Sequence, residues 1–460
     1  MNDKAQAGVT SSFLPNLRSK KFFTIFLVIL IAQFIDLTLG TLPDLFVDFA
    51  VSPIGIGLFI TIAMIYGVGQ YIVLNTVKTA IKQSEAKVWT HVNLVRNAVT
   101  VTQYVLIAMM ASIVLQIVIN SSYYTSLLSI GATISYGLAA ILTGLLAYWF
   151  LSWFRRNRAL VVLMYGLAAA MISVNAIDTI IYFDIVIFGA KPIVTTPDSE
   201  VFFPDIAGRG FPLVADMQAI SLNGYFILTW AGTILLLRHN IQRIGRLKFW
   251  ALVSTPMVFF MSFYIGFYES MQASPVQTSE EKYPDILLPL MLMMLSGEAA
   301  IILFGIGFRS VAKAITQTNK IHDYMIITAY GFILFFTAAS ATISGAGYPP
   351  FGIANVLLVG PMSYLILIGL YGSAISIAED SKLRQSIKAS TKEELKLLDS
   401  IGISQLQQGT EEKVTAAIKE NAAILTQRSG VEPTLTDEEI HEIMSQVSFE
   451  TRRIREEKDN

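Results

Sequence analysis

Long apolar stretches recur along the chain, and they constrain its fold more than any other feature. Each contains about 20 residues, enough for a helix to cross a ~30 Å hydrocarbon layer. Charged residues make up only 15% of the sequence, whereas soluble domains carry roughly 25%. The sequence therefore predicts an all-α polytopic membrane bundle of about ten transmembrane helices with a small helical cytosolic tail. The predicted spans are 22–42, 56–76, 98–119, 127–151, 160–188, 219–237, 249–268, 286–308, 324–343 and 351–376.

The basic residues predict the orientation of these spans, because short cytosolic loops are enriched in Lys and Arg. The N-terminal segment and the loops after spans 2, 4, 6 and 8 each hold three or four of them. The opposite loops hold only Lys191, Arg209 and Lys282. The loop with Arg155, Arg156 and Arg158 is the densest and is predicted to determine topology. Both termini are therefore expected to be cytosolic, in a multi-pass protein of the plasma membrane.

Three regions follow from this pattern: a cytosolic segment 1–21, a ten-span domain 22–376 and a cytosolic helical tail 377–460. Capping boxes begin at Thr391 and Thr436, and each predicts a helix start. A middle helix carries the apolar stripe Val414, Ile418 and Leu425 and is expected to end at Gly430. We expect the tail to be separable from the membrane domain. Its helices are predicted to form a small bundle, dock on the spans or bind a partner.

The outer side has two features of its own. The outer loops carry ten acids, at positions 44, 48, 198, 200, 205, 216, 269, 280, 281 and 285. These acids would raise the local concentration of cations by electrostatic focusing. An ordinary acidic protein surface explains the same acids equally well. The aromatic residues near both boundaries, including Trp149, Trp153, Tyr123 and Tyr124, are interpreted as an interfacial belt.

Buried acids are the strongest functional signal in the spans. Asp36, Asp178 and Glu298 fall inside predicted spans, and Glu298 is near the middle of its own. No Lys, Arg or His lies in the core of any predicted span, and Arg309 is eleven residues from Glu298, or roughly 16 Å at the helical rise. An ionised acid without a counter-charge is costly in the bilayer, and such residues are functional candidates by default.

Polar neighbours accompany two of these acids at helical spacing. Gln33 shares a face with Asp36, and Asn175 and Tyr182 share a face with Asp178. The candidate ion, proton or substrate site is therefore Asp36, Asp178, Glu298, Gln33, Asn175 and Tyr182. The alternative is structural, because neutral carboxyl groups and amides also join helices by hydrogen bonds.

The sequence favours a proton- or cation-coupled secondary transporter that uses the buried carboxylates. A membrane-embedded sensor with the tail as its output is the main alternative, and a scaffold subunit or an intramembrane enzyme is a weaker one. The chain has no cysteine, no P-loop and no G-x-S-x-G motif, so no catalytic residue, metal ligand or cofactor is assigned. The expected partners are the lipid bilayer and a cytosolic protein on the tail, and nothing indicates nucleic acid binding.

Overall fold

The computed structural model describes residues 20–41, 46–83, 90–184, 194–198, 212–238, 241, 245–272, 283–314, 320–340, 347–379, 384 and 396–429. Within these residues the chain is almost entirely helical. The helices are α1 (Lys20–Thr41), α2 (Val47–Val51), α3 (Pro53–Gln83), α4 (Thr90–Asn120), α5 (Thr125–Arg156), α6 (Leu160–Tyr182), α7 (Pro212–Leu237), α8 (Arg246–Gln272), α9 (Tyr283–Ala314), α10 (Lys320–Ala339), α11 (Ile353–Glu379) and α12 (Lys396–Ser429).

The predicted all-α polytopic bundle is confirmed. In the described part of the chain, nine helices are long and apolar enough to cross a membrane, namely α1, α3 to α7 and α9 to α11. The remaining predicted span, 249–268, lies within α8, a 27-residue helix. The side chains of residues 263–272 are outside the described set, so α8 stays a predicted span.

Helix α11 is the centre of the bundle. It packs against α1, α3, α4, α5, α10 and α12, and every residue from Phe351 to Leu370 is buried. Other helices therefore screen it from the bilayer on all sides. An all-apolar helix of this kind is the expected core of a large helical membrane domain.

Pro361 lies inside α11 and cannot donate to the Leu357 carbonyl, and a hydroxyl from α5 bonds to the helix backbone one position earlier. Ser135 donates a hydrogen bond to the Val356 carbonyl (2.7 Å) and accepts one from the Gly360 N–H (3.1 Å). Those two backbone groups are four residues apart and would ordinarily pair with each other. Serine hydroxyls from neighbouring helices commonly satisfy such freed groups in membrane proteins. Ser135 is fully buried, so both hydrogen bonds lie in the interior of the bundle.

A ring of six helices surrounds an aromatic interior. Helices α5, α6, α7, α9, α10 and α11 each contact the next, and α11 contacts α5 to close the ring. Tyr165 of α6 reaches across to Phe308 of α9 (5.3 Å between ring centroids) and Phe332 of α10 (6.3 Å). Helices α1, α3 and α4 pack outside this ring, on the side of α10 and α11. The ring is therefore filled by side chains at this level.

A two-stranded ribbon joins the segment before α5 to the segment between α6 and α7. Strand β1 (Tyr123–Tyr124) pairs antiparallel with β2 (Val194–Thr195), in the long loop between α6 and α7. Tyr123 is fully buried and donates to the Gly347 carbonyl at 2.9 Å. Tyr123 therefore fixes the segment before α11 through its hydroxyl group.

The tail helix docks on the membrane domain. Leu397, Leu398 and Ile401 of α12 belong to the main hydrophobic core. The indole N–H of Trp153 donates to the Gln405 side chain at 3.0 Å, and Trp153 is fully buried. Trp153 is therefore a docking residue and not part of an interfacial belt. Helix α12 is described as far as Ser429, whereas Gly430 and the helix predicted from Thr436 lie outside the described residues.

Candidate functional site

The three predicted acids lie on separate helices, and the structure does not bring them into one site. Asp36 is on α1, Asp178 on α6 and Glu298 on α9. Among the described residues, no hydrogen bond or ion pair joins any two of them. Each acid must therefore be considered with its own surroundings.

Asp36 caps the N-terminus of the central helix. Its two carboxylate oxygens accept the backbone N–H groups of Gly352 (2.8 Å) and Asn355 (3.0 Å), and its side chain is fully buried. The first N–H groups of a helix have no partner within the helix, and the positive end of the helix dipole favours a carboxylate. Asp36 therefore has a structural role as a helix cap. A structural role was the alternative that the sequence left open.

The close approach of α1 to α11 depends on two glycines. A Cβ atom on Gly40 would come within 2.8 Å of Gly352, and Gly352 itself has a φ of 89°, a backbone conformation that favours glycine. Gln33 and Asn355 complete this junction. The Asn355 amide donates to the Gln33 carbonyl (2.8 Å), and the Gln33 amide donates to the Leu334 carbonyl (3.1 Å). Gln33 thus ties α1 to α10 and α11.

Asp178 is buried near the outer end of α6, and only 4% of its surface is exposed. Its Oδ2 atom has no hydrogen-bond partner within the described part. Its predicted companions face other groups: Asn175 donates to Ser221 of α7 at 3.1 Å, and the Tyr182 ring contacts Phe183. One oxygen of this buried acid is therefore unpaired among the described residues, and its predicted companions do not bond to it.

Glu298 differs because it opens into a groove. The groove has a volume of about 500 Å³ and is bounded by α1, α9 and α10. Its apolar wall includes Phe26, Phe34, Ile302 and Ile333, and Arg309 and Tyr330 also line it. Phe34 and Ile302 are exposed on the helix surface, where a membrane protein faces lipid. The groove is therefore accessible sideways from the bilayer.

The carboxyl and the guanidinium mark the two ends of this groove. Glu298 and Arg309 are eleven residues apart on α9, or about 16 Å along the helix. Glu298 Oε1 is buried and has no hydrogen-bond partner among the described residues. Among the described residues the fold therefore gains no hydrogen bond from this oxygen, which is consistent with a carboxyl that binds a proton.

The register of α9 against α10 places Glu298 near the C-terminal end of α10. A Cβ atom on Gly297 would lie 3.2 Å from the Ser340 hydroxyl, and one on Gly305 would lie 2.6 Å from Ile333. Glu298 is therefore level with the C-terminal end of α10. Glu298 is also at the midpoint of α9, a helix of 32 residues.

The groove is better suited to a proton than to a metal ion. In the described residues, no group of three or more His, Asp or Glu side chains is arranged to hold a metal. Hard cations require about six oxygen ligands, and Glu298 and Tyr330 are the oxygen-bearing side chains of the groove. A carboxyl group that gains and loses a proton needs no further ligand.

A second polar cluster was missed by the sequence reasoning. Lys78 of α3 donates to Gln103 of α4 at 2.6 Å, in the interface between these two helices. In the sequence, Lys78 and Arg96 were counted only among the basic residues that predict the topology. Arg96 and Gln103 are seven residues apart and so share one face of α4. This shared polar face was the signal from which the cluster could have been predicted.

Comparisons with models of protein families, with characterised protein sequences and with solved structures gave no match to this chain. Its function must therefore be argued from the arrangement of its own residues.

Proposed function

We propose that this multi-pass membrane protein is a proton-coupled secondary transporter in which Glu298 carries the proton. The single observation behind this proposal is the unpaired Glu298 oxygen at the end of a groove of about 500 Å³. Asp36 is not assigned to this role, because helix capping already explains its position. We further propose a plasma-membrane location with both termini in the cytosol, as the basic loops indicate.

The shape of the groove supports an apolar or amphipathic substrate. Its walls are almost wholly hydrophobic and it lies between helices that also face lipid. A molecule dissolved in the bilayer would reach it without crossing water. A cationic group on such a molecule would replace the proton on Glu298, and an anionic group would lie towards Arg309.

A test that needs no known substrate uses dicyclohexylcarbodiimide, an apolar reagent that modifies protonated carboxyl groups in lipid. The purified protein in nanodiscs is treated over a range of pH and the labelled peptides are quantified by mass spectrometry. We expect rapid labelling of Glu298 that decreases as the pH rises. Asp36 should label far more slowly, because both of its oxygens accept backbone N–H groups.

Two variants separate this role from a role in folding. Glu298→Gln and Glu298→Leu should both retain the thermal stability of the wild type, because the described fold makes no hydrogen bond to Oε1. Proton release on addition of an amphipathic cation should vanish in both. An absence of Glu298 labelling at every pH, or proton release that persists in Glu298→Gln, would refute the proposal.

A sensor is the second candidate function, and the docked tail favours it. Helix α12 contacts the ends of α5, α6 and α11, and the Ser404 hydroxyl donates to the Trp153 carbonyl at 3.1 Å. A movement of α11 would therefore reach the tail directly. Hydrogen exchange in 396–417 that changes on ligand addition, in a protein with no proton release, would support the sensor over the transporter.

A further inference from the structure

Lys78 lies near the end of α3 on the α12 side of the bundle, and its ammonium group is directed inward. It donates to Oε1 of Gln103 at 2.6 Å, and Gln103 is only 2% exposed. A lysine at the end of a membrane span ordinarily extends its charge towards water. Here the charge lies against the interface between α3 and α4 instead.

A second positive charge acts on the first. Arg96 lies seven residues before Gln103 on the same face of α4, and its guanidinium acts electrostatically on both Lys78 and the Tyr364 hydroxyl of α11. Two like charges in a partly desolvated site repel each other. No carboxylate in the described part of the chain forms an ion pair with either residue. Within the described residues, the cluster therefore has excess positive charge.

The neighbouring polar groups lack partners as well. Gln103 Nε2 and the Tyr364 hydroxyl are buried, and neither has a hydrogen-bond partner within the described residues. Tyr364 is fully buried. The amide nitrogen donates only, the hydroxyl can donate, and Lys and Arg carry further N–H groups. Such a set of donors without an acceptor is complementary to an anion with several oxygens.

We propose that Lys78, Arg96 and Gln103, with the Tyr364 hydroxyl, form a binding site for a phosphate group between α3, α4 and α11. Arg and Lys are the side chains that recognise phosphate, Arg through paired N–H donors and Lys as a point charge. Phosphate of this kind is offered by a free anion or by the headgroup of an anionic lipid in the adjacent leaflet. The site is separate from the Glu298 groove, and its occupancy does not depend on the transport proposal.

The test measures thermal unfolding of the full-length protein in nanodiscs, with two sources of phosphate. In one arm, the discs contain phosphatidylcholine and inorganic phosphate is titrated at constant ionic strength. In the other arm, the discs contain phosphatidylglycerol and no phosphate is added. Lys78→Gln and Arg96→Gln are compared with the exposed matched controls Lys248→Gln and Arg158→Gln.

We expect stabilisation of the wild type in at least one arm. In Lys78→Gln and Arg96→Gln, the phosphate midpoint should weaken by about tenfold or more, the effect of losing one charge-assisted hydrogen bond, or the lipid stabilisation should be lost. Without phosphate, Arg96→Gln should be at least as stable as the wild type, because the repulsion is relieved, whereas Lys78→Gln also loses its hydrogen bond to Gln103. The control variants should respond as the wild type does.

The pattern of results identifies the source or rejects the site. A response in the phosphate arm alone indicates a free anion, and a response in the phosphatidylglycerol arm alone indicates a lipid headgroup. Stabilisation in neither arm overturns the proposal. It is also overturned if Lys248→Gln and Arg158→Gln lose as much of the response, since the effect would then be general surface charge.

Discussion

Replacing Asp36 should destabilise the bundle through the N-terminus of its central helix. The carboxylate accepts two backbone N–H groups at 2.8 and 3.0 Å and is fully buried. In Asp36→Asn, one acceptor oxygen becomes an NH₂ group that faces a backbone N–H. In Asp36→Leu, both backbone donors lose their partner.

The magnitude follows from these contacts. A hydrogen bond to a charged group contributes roughly 1.5–3 kcal/mol, and an unpaired buried donor costs about 1–3 kcal/mol. We therefore expect Asp36→Asn to lower the free energy of unfolding by about 2 kcal/mol and Asp36→Leu by about 4 kcal/mol. The measurement is denaturant unfolding in bicelles, followed by tryptophan fluorescence. Hydrogen exchange of the first turn of α11 should increase in parallel.

Asp184→Asn is the control for removal of an acid as such. Asp184 is exposed, and its carboxylate accepts one hydrogen bond from Ser129, so its loss should cost under about 0.5 kcal/mol. The capping argument would be refuted if Asp36→Asn were as stable as Asp184→Asn. Unchanged exchange at the start of α11 would contradict it equally, even if activity were lost.

Three further predictions test other contacts. Ser135→Ala leaves two backbone groups of α11 unbridged and should cost about 1–2 kcal/mol of unfolding free energy, whereas Ser363→Ala, whose hydroxyl bonds within α11, should cost less. Gly402→Ala should undock α12 and expose it to protease, because its Cβ would lie 2.2 Å from Ile377, whereas Gly409→Ala has open space and should leave α12 docked. In this cysteine-free chain, Asn157→Cys should react with an impermeant maleimide only after permeabilisation, and labelling in intact cells would contradict the topology.

The helices were predictable because hydropathy and length act locally. The predicted span 127–151 lies inside α5, and 351–376 overlaps α11 closely. The sequence also predicted that the tail contains a helix. It did not show that Leu397 and Ile401 pack into the membrane core. Removing the tail would expose the apolar surface that these residues cover, which would destabilise the membrane domain. The apolar stripe of the tail helix does not reveal this contact.

The roles of the acids were not predictable, because they depend on partners far away in the sequence. Asp36 meets Gly352, 316 residues later, and no local pattern reports that contact. Gly40 lies on the same face of α1 and permits the close approach, yet a glycine in a membrane helix has many explanations. Lys78 was counted as a topology signal because its charge fits the positive-inside rule. Only its hydrogen bond to Gln103 distinguishes it from the other basic residues near the span ends.

The same contacts determine how the Glu298 groove can open. Helix α1 forms one wall of the groove. Its outer part is held by the Asp36 and Gln33 hydrogen bonds to α11 and α10, whereas Phe26, nearer its other end, contacts Tyr330 of α10 through rings with centroids 4.2 Å apart. Ring contacts between apolar surfaces slide more readily than buried charge-assisted hydrogen bonds break. If α1 moves to widen the groove, we expect it to pivot at the Asp36 end and to separate from α10 at the Phe26 end, on the side of Arg309.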